Sequence, residues 1–167
     1  GVTADFLGNL FKLFASKMPG RNQKDRTQAL WEKVQSFYEA EGTQDKLQNL
    51  IPTMVQQKKK APTLRCSAAQ CRVPVPFAQA CAEELLSSAD PIEEAAKAGM
   101  RHLNQCYMAL SGASIFATDV FRESSIKFAT QYTALEQAHL AKGDTVSWRV
   151  KPKLHMFLEL CGDGSKP

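Results

Sequence analysis

The chain of 167 residues is 44 % hydrophobic and 23 % charged, enough apolar material for one packed core and too much for a disordered tail. Its 21 basic and 17 acidic residues leave a net charge of +4, below that of a strong polyanion binder, so the placement of charge matters more than its sum. The most apolar N-terminal stretch, Phe6 to Phe14, is broken by Gly8, Asn9 and Lys12. It is too short for a membrane span, and it lacks the basic start and small-residue cleavage site of a signal peptide.

The apolar period is helical almost throughout. Thr3 is placed to cap a first helix carrying Phe6, Leu7, Leu10, Phe11 and Phe14, which Pro19-Gly20 ends. A second helix shows Leu30, Trp31, Val34, Phe37 and Tyr38 on one face and stops at Gly42. A third, shorter helix is expected over Leu47, Leu50 and Ile51, with Pro52 kinking it or restarting a turn. Ser67 starts a helix through Arg72, and Pro76 is the expected first residue of the next, ending near Leu86. Asp90-Pro91-Ile92-Glu93 is a strong start, with Asp90 as cap and Glu93 to complete a capping box. Ile92, Ala96, Gly99, Leu103, Tyr107 and Leu110 continue its buried stripe. After a break at Ser111-Gly112, a long helix lined by Phe116, Val120, Phe128, Tyr132 and Leu135 runs to Gly143. Pro152 opens the last, with Leu154, Phe157, Leu158 and Cys161 on its apolar face. Val73, Val75, Val146 and Val150 are the only strand material, and the prolines nearby argue against a central strand. The expectation is an all-α fold, an irregular bundle of six to seven helices. The division is residues 1–57 as N-terminal helices, 58–64 as a basic linker or loop, and 65–167 as a C-terminal helical bundle. Gly1 in place of Met and the turn-like residues 162–167 read as the ends of an excised segment.

The five cysteines are odd in number, and three sit in apolar helical patterns. That predicts reduced, buried thiols in an intracellular setting, nucleus or cytoplasm. Cys66-x₄-Cys71 is looser than a zinc C-x₂-C and no second pair follows, so no metal site and no cofactor are expected. Whether Cys66 and Cys71 meet in space stays open at this level. Nothing in the local sequence singles out one cysteine as activated by His102, His139 or His155, and no glycine-rich phosphate loop is present.

Charge is the more informative signal. Lys58, Lys59, Lys60, Arg65 and Arg72 stand in residues 58–72 without a single acid, and Trp148, Arg149, Lys151, Lys153 and His155 form a second basic segment with an aromatic beside it. Clustered cations neutralise phosphates and an aromatic stacks on a base or an Arg, so these ten residues are the candidate nucleic-acid contacts. The bland alternative is a solvated loop plus a helix start whose aromatic is core. Between them, Glu83, Glu84, Asp90, Glu93 and Glu94 put five acids into residues 83–94, which would repel a polyanion. Asp119 and Glu123, four apart on one helix, with Glu136 further along, give a second hypothesis: a fragment of a metal-dependent nucleic-acid enzyme. A third is a purely structural or protein-interaction domain docking through the exposed parts of the Phe6–Phe14 helix, Phe11 and Phe14 included.

The run from Trp148 through Pro152, Lys153 and His155 to Leu160, with the segments Arg72 to Phe77 and Phe116 to Tyr132 in the same order, resembles a group of uncharacterised proteins abundant in dinoflagellate-type algal genomes, over most of residues 28–162. Over the last quarter it is more distantly similar to the helical C-terminal part of RNase-H-like transposases of fungal and algal mobile elements. The resemblance implies a helical part of a DNA-handling protein, with Lys153 and His155 near DNA or supporting the core. The acidic catalytic core of that family sits on a mixed sheet that this sequence does not encode, so catalysis does not carry over. The leading expectation is therefore a non-enzymatic helical module of a larger mobile-element-type protein. Its expected partners are DNA or RNA and other parts of the parent polypeptide, with no membrane.

Overall fold

The computed structural model describes residues 1–42, 46–111 and 117–163, the side chain of Asp163 apart. Helix α1 is Val2–Lys17, α2 Gln23–Glu41, α3 Pro52–Val55, α4 Ala68–Arg72, α5 Pro74–Leu85, α6 Pro91–Ser111, α7 Thr118–Ala141 and α8 Lys153–Asp163. The described residues contain no strand, and six helices are of eleven residues or more, so the chain is an all-α bundle. No helix among them is long and apolar enough to cross a membrane.

The caps explain most boundaries. The Asn22 side chain accepts from the Asp25 N–H at 2.9 Å, and Gly42 closes α2 in the left-handed region at φ 63. Ser67 and Gln70 form a reciprocal capping box on α4. Asp90 Oδ1 accepts from the N–H groups of Ile92 and Glu93 at 2.8 and 3.1 Å. These bonds, the one from Glu93 first, hold the Asp90 carboxyl below its ordinary range.

Several expectations are corrected. Thr3 does not cap α1, which starts at Val2; its hydroxyl instead shares a hydrogen bond with the Tyr107 hydroxyl at 2.7 Å. No helix covers residues 46–51: Leu47 and Leu50 are buried from non-helical backbone, and helix resumes only where Pro52 supplies a pre-set first position. Helix α5 starts at Pro74 rather than Pro76 for the same reason. Glu93 does not fold back as a capping box. It accepts from the Ser87 N–H at 2.7 Å and pairs with Lys17 of α1; burial raises its pKa, but these two partners outweigh it and leave the carboxyl below its usual range. Leu110 and Val120, expected in buried stripes, are each 50 % exposed. The Gly112 break and Phe116 lie outside the described residues. Cys66 and Cys71 are joined by a disulfide, which overturns the reduced reading for that pair; Cys81, Cys106 and Cys161 are free and buried.

Helix α1 is the axis of the fold. Phe6, Leu7, Leu10, Phe11 and Phe14 are wholly inaccessible, and α1 packs against α2, α3, α4, α5 and α8. Phe11 and Phe14, expected in a docking face on that helix, are thus interior. Helices α6 and α7 form an antiparallel hairpin, with Ser124 opposite Gln105 and Gln131 opposite Gly99. Phe6 is driven into the seam of that hairpin. A Cβ on Gly99 would stand 2.9 Å from the Phe6 ring, so the missing side chain is what admits it. The ring meets Phe128, Tyr132 and Trp148 edge-on, with centroids 5.0, 5.3 and 5.2 Å away. One contiguous core runs from Phe6 to Leu154.

Candidate functional site

Both basic segments are positioned by the first turns of α1. Residues 4 and 8 share one stripe of that helix and residues 5 and 9 the next, about 100° round the axis. On the first stripe, the Ala4 carbonyl accepts from the Leu64 N–H at 2.8 Å. Gly8 lets the backbone of Thr63 come so close that a Cβ there would lie 2.3 Å from its Cα. Upstream, the Gln56 amide donates to the Lys60 carbonyl at 2.8 Å, and Lys59 takes φ 62 at the tip of the turn. This turn leaves Lys58, Lys59 and Lys60 exposed, and Arg65 and Arg72 follow exposed from the same segment.

The second stripe holds the other segment. Asp144 Oδ1 accepts from the N–H groups of Val146 and Ser147, both at 2.9 Å, and Oδ2 lies 3.1 Å from His139 Nδ1. The Ser147 N–H is the main reason the Asp144 carboxyl sits far below its ordinary range. The chain then reaches Trp148 at φ 56, whose N–H donates to Asn9 Oδ1 at 2.7 Å. Val150 N–H donates to Glu136 at 2.9 Å, and Lys151 pairs with Asp5 at 2.7 Å.

Of the ten expected nucleic-acid residues, eight are exposed: Lys58, Lys59, Lys60, Arg65, Arg72, Arg149, Lys153 and His155. Two are corrected. Trp148 is 3 % exposed and packs on Phe6 and Tyr132, so it offers no face to a base. Lys151 spends its charge on Asp5. An aromatic does stand beside a basic segment, but it is Tyr107 of α6, with the Arg72 guanidinium 5.9 Å from its ring centroid. By helical spacing Tyr107 belongs to the core stripe of α6; only the packing of α4 and α5 on α6 brings it to Arg72.

The acidic stretch is not a bare surface. Glu83 pairs with Arg101, Glu84 with Lys33, Glu93 with Lys17 and Glu94 with Lys97, while Asp90 caps α6. These acids fasten α5 and α6 to α1, to α2 and to each other. Among the described residues none of the eight exposed basic-segment side chains forms an ion pair with an acid.

The metal hypothesis is corrected by distance. Asp119 and Glu136 are 17 positions apart on one helix, roughly 25 Å by helical rise. Glu123 binds Lys127 at 2.6 Å, Glu136 holds the Val150 N–H, and no cluster of metal ligands exists among the described residues. The free thiols are poor nucleophiles: burial pushes Cys81 and Cys106 up to about 12 and raises Cys161. His102 faces Gln105 and His139 faces Asp144, neither a cysteine.

Two apolar grooves adjoin the basic segments. One, of about 380 Å³, lies between α7 and α8 beside Val150 and His155. The other, also about 380 Å³, lies between α4–α5 and α6 and is bordered by Arg72, Val73, Pro76, Asn104, Tyr107 and Met108. Compared with protein-family models, curated proteins and solved structures, the chain has no significant match.

Proposed function

We propose that this chain is a non-enzymatic helical module of a larger mobile-element-type protein, holding nucleic acid through phosphate contacts from its two basic segments. The observation that carries the reading is the asymmetry of charge pairing. The glutamates of α5 and α6 are neutralised by the protein's own lysines and arginines, whereas Lys58–Lys60, Arg65, Arg72, Arg149 and Lys153 have no acidic partner among the described residues. Clustered cations without acidic partners give a local positive field that polyanions neutralise with release of counterions. Tethering both segments to the same turns of α1 makes them a fixed pair rather than two wandering loops. The mobile-element setting rests on the resemblance alone.

Titration of labelled single- and double-stranded DNA and RNA at two salt concentrations tests this. The expected result is binding that weakens steeply with salt. Replacing Lys58, Lys59 and Lys60 with Gln, or Arg149 and Lys153 with Gln, lowers the salt slope on duplex DNA by about 0.9 for each phosphate no longer neutralised. Absence of binding at low salt, or affinity indifferent to salt and to these changes, overturns it. A protein-docking reading is favoured by one observation only: Met156 and Leu160, 61 % and 72 % exposed, stand one turn apart on α8. Loss of self-association or of partner capture in Met156→Glu/Leu160→Glu, with nucleic-acid binding absent throughout, would select it.

A further inference from the structure

The groove between α4–α5 and α6 has a chemistry that phosphate contact does not use. Its floor is apolar, supplied by Val73, Val75 and Pro76, and Met108 at its edge is 64 % exposed. No acid borders it. The Tyr107 ring is half-buried, and its hydroxyl is tied to Thr3 at 2.7 Å, so the ring is held in one orientation before anything binds. Arg72 lies over that ring without an acidic partner among the described residues, so nothing but the ring holds it there and a base stacking on Tyr107 displaces it toward the neighbouring phosphate. One turn before Met108, the Asn104 amide makes only a 3.7 Å contact to the Met108 sulphur, which leaves its carbonyl oxygen and an N–H to pair elsewhere.

A fixed aromatic face, an unpaired guanidinium, an uncommitted amide and an apolar floor are the parts that hold an unstacked base: the ring stacks, the amide meets the base edge, and the cation takes the neighbouring phosphate. A paired base in a duplex presents no open face to such a groove. Arg65 and Lys58–Lys60 precede Arg72 on the same segment and are exposed. Resting on the nucleic-acid reading above, we propose that this groove takes one nucleobase of a single strand, stacked on Tyr107, with Arg72 on the adjoining phosphate and Asn104 against the base edge.

The test uses the full chain and three short labelled probes: an intact single strand, the same strand with abasic sites, and a duplex. The intact strand should bind about tenfold more tightly than the abasic one, as expected for one stacked base. Tyr107→Leu should remove that difference, with the single strand losing about tenfold and the duplex losing much less. Tyr107→Phe, which loses the same bond to Thr3 but keeps the ring, should retain the difference; thermal melting of both variants separates a stacking loss from a folding loss. Equal binding of intact and abasic strands, or a preference that survives Tyr107→Leu, overturns the base site while salt-steep binding upholds the module. Failure of all three probes to bind at low salt overturns both.

Discussion

The Asp5 carboxylate, buried in the first turn of α1, holds the Lys151 ammonium at 2.7 Å across 146 residues of chain. The two ends of the fold are joined there by one ion pair of which only the lysine reaches solvent. Removing the lysine strands a buried charge, and such a loss exceeds the worth of the pair itself. Lys151→Met should destabilise the protein by about 1–3 kcal/mol in chemical denaturation, discounted because Lys151 is partly exposed. Asp5→Asn/Lys151→Met together should recover most of it. Since that charge is already committed, Lys151→Met should alter the salt slope of nucleic-acid binding less than Lys153→Gln does.

Gly8 is where α1 and the basic segment come closest. A methyl group there meets the backbone of Thr63, not a side chain that could rotate away. Gly8→Ala should cost at least about 1–3 kcal/mol, the usual range for overpacking, and should loosen the Lys58–Lys60 turn. Hydrogen exchange at the Leu64 amide, which donates to the Ala4 carbonyl, reads this directly: protection should drop in the variant and be unchanged in Gly162→Ala, where no atom stands near the new methyl.

Thiol chemistry separates the five cysteines. With Cys81 and Cys106 pushed up to about 12 by burial, alkylation of the folded protein near pH 8 should be slow at both and become fast only on unfolding. Cys66 and Cys71 should be blocked until a reductant is added. Their loop is short, so Cys66→Ala/Cys71→Ala should cost no more than about 2 kcal/mol. Mass spectrometry of labelled peptides with and without reductant checks the labelling pattern, and denaturation of the double variant checks the cost.

Asp144 gives a pH signature. Its folded pKa is depressed, so its contribution is present above the ordinary carboxylate range and is lost as pH falls through that range toward the folded value. Asp144→Asn should therefore be less stable than the parent at pH 7, by under about 1 kcal/mol because the carboxylate is about a third exposed. The gap should begin to narrow once the pH falls below the ordinary carboxylate value and close only where the folded carboxyl itself takes up a proton. Parallel denaturation curves from pH 7 down through the acid range decide it; a gap that never narrows, even at the acid limit, would show that the carboxylate charge is not what holds the turn.

The helices that could be read from sequence are those whose signals are local. Asp90-Pro91, Ser67-x-x-Gln70 and the stripe of Leu30, Trp31, Val34 and Tyr38 each carry their reason within one or two turns, and each is found in place. What could not be read is satisfied from far away. Asp5 and Asn9 look like the polar back of an amphipathic helix. Their partners, Lys151 and Trp148, are 146 and 139 residues distant, and those bonds turn an apparent surface helix into the core. Long-range pairing of the same kind hides in the acidic stretch, which looks bare in sequence, and in Trp148, which looks available. Leu47 and Leu50 have helical spacing but too little chain around them to nucleate a helix before Pro52. In the candidate site the cations were legible because a run without acids needs no tertiary knowledge, whereas Tyr107 and Asn104 join Arg72 only through the packing of α4 and α5 on α6.

The bond from Trp148 to Asn9 also orders events during synthesis. Helix α1 emerges from the ribosome before every element that covers it, and the ring of Phe6 has no complete environment until Phe128, Tyr132 and Trp148 have all been made. Helices α2 and α5 cover the other side of α1 earlier, but until Trp148 is made the Phe6 ring stays water-exposed or held by a chaperone, a state open to aggregation. A chain interrupted anywhere before residue 148 would leave the Phe6 side of that helix permanently open, so such a nascent fragment is a natural target for quality-control proteolysis rather than a smaller working version of the fold.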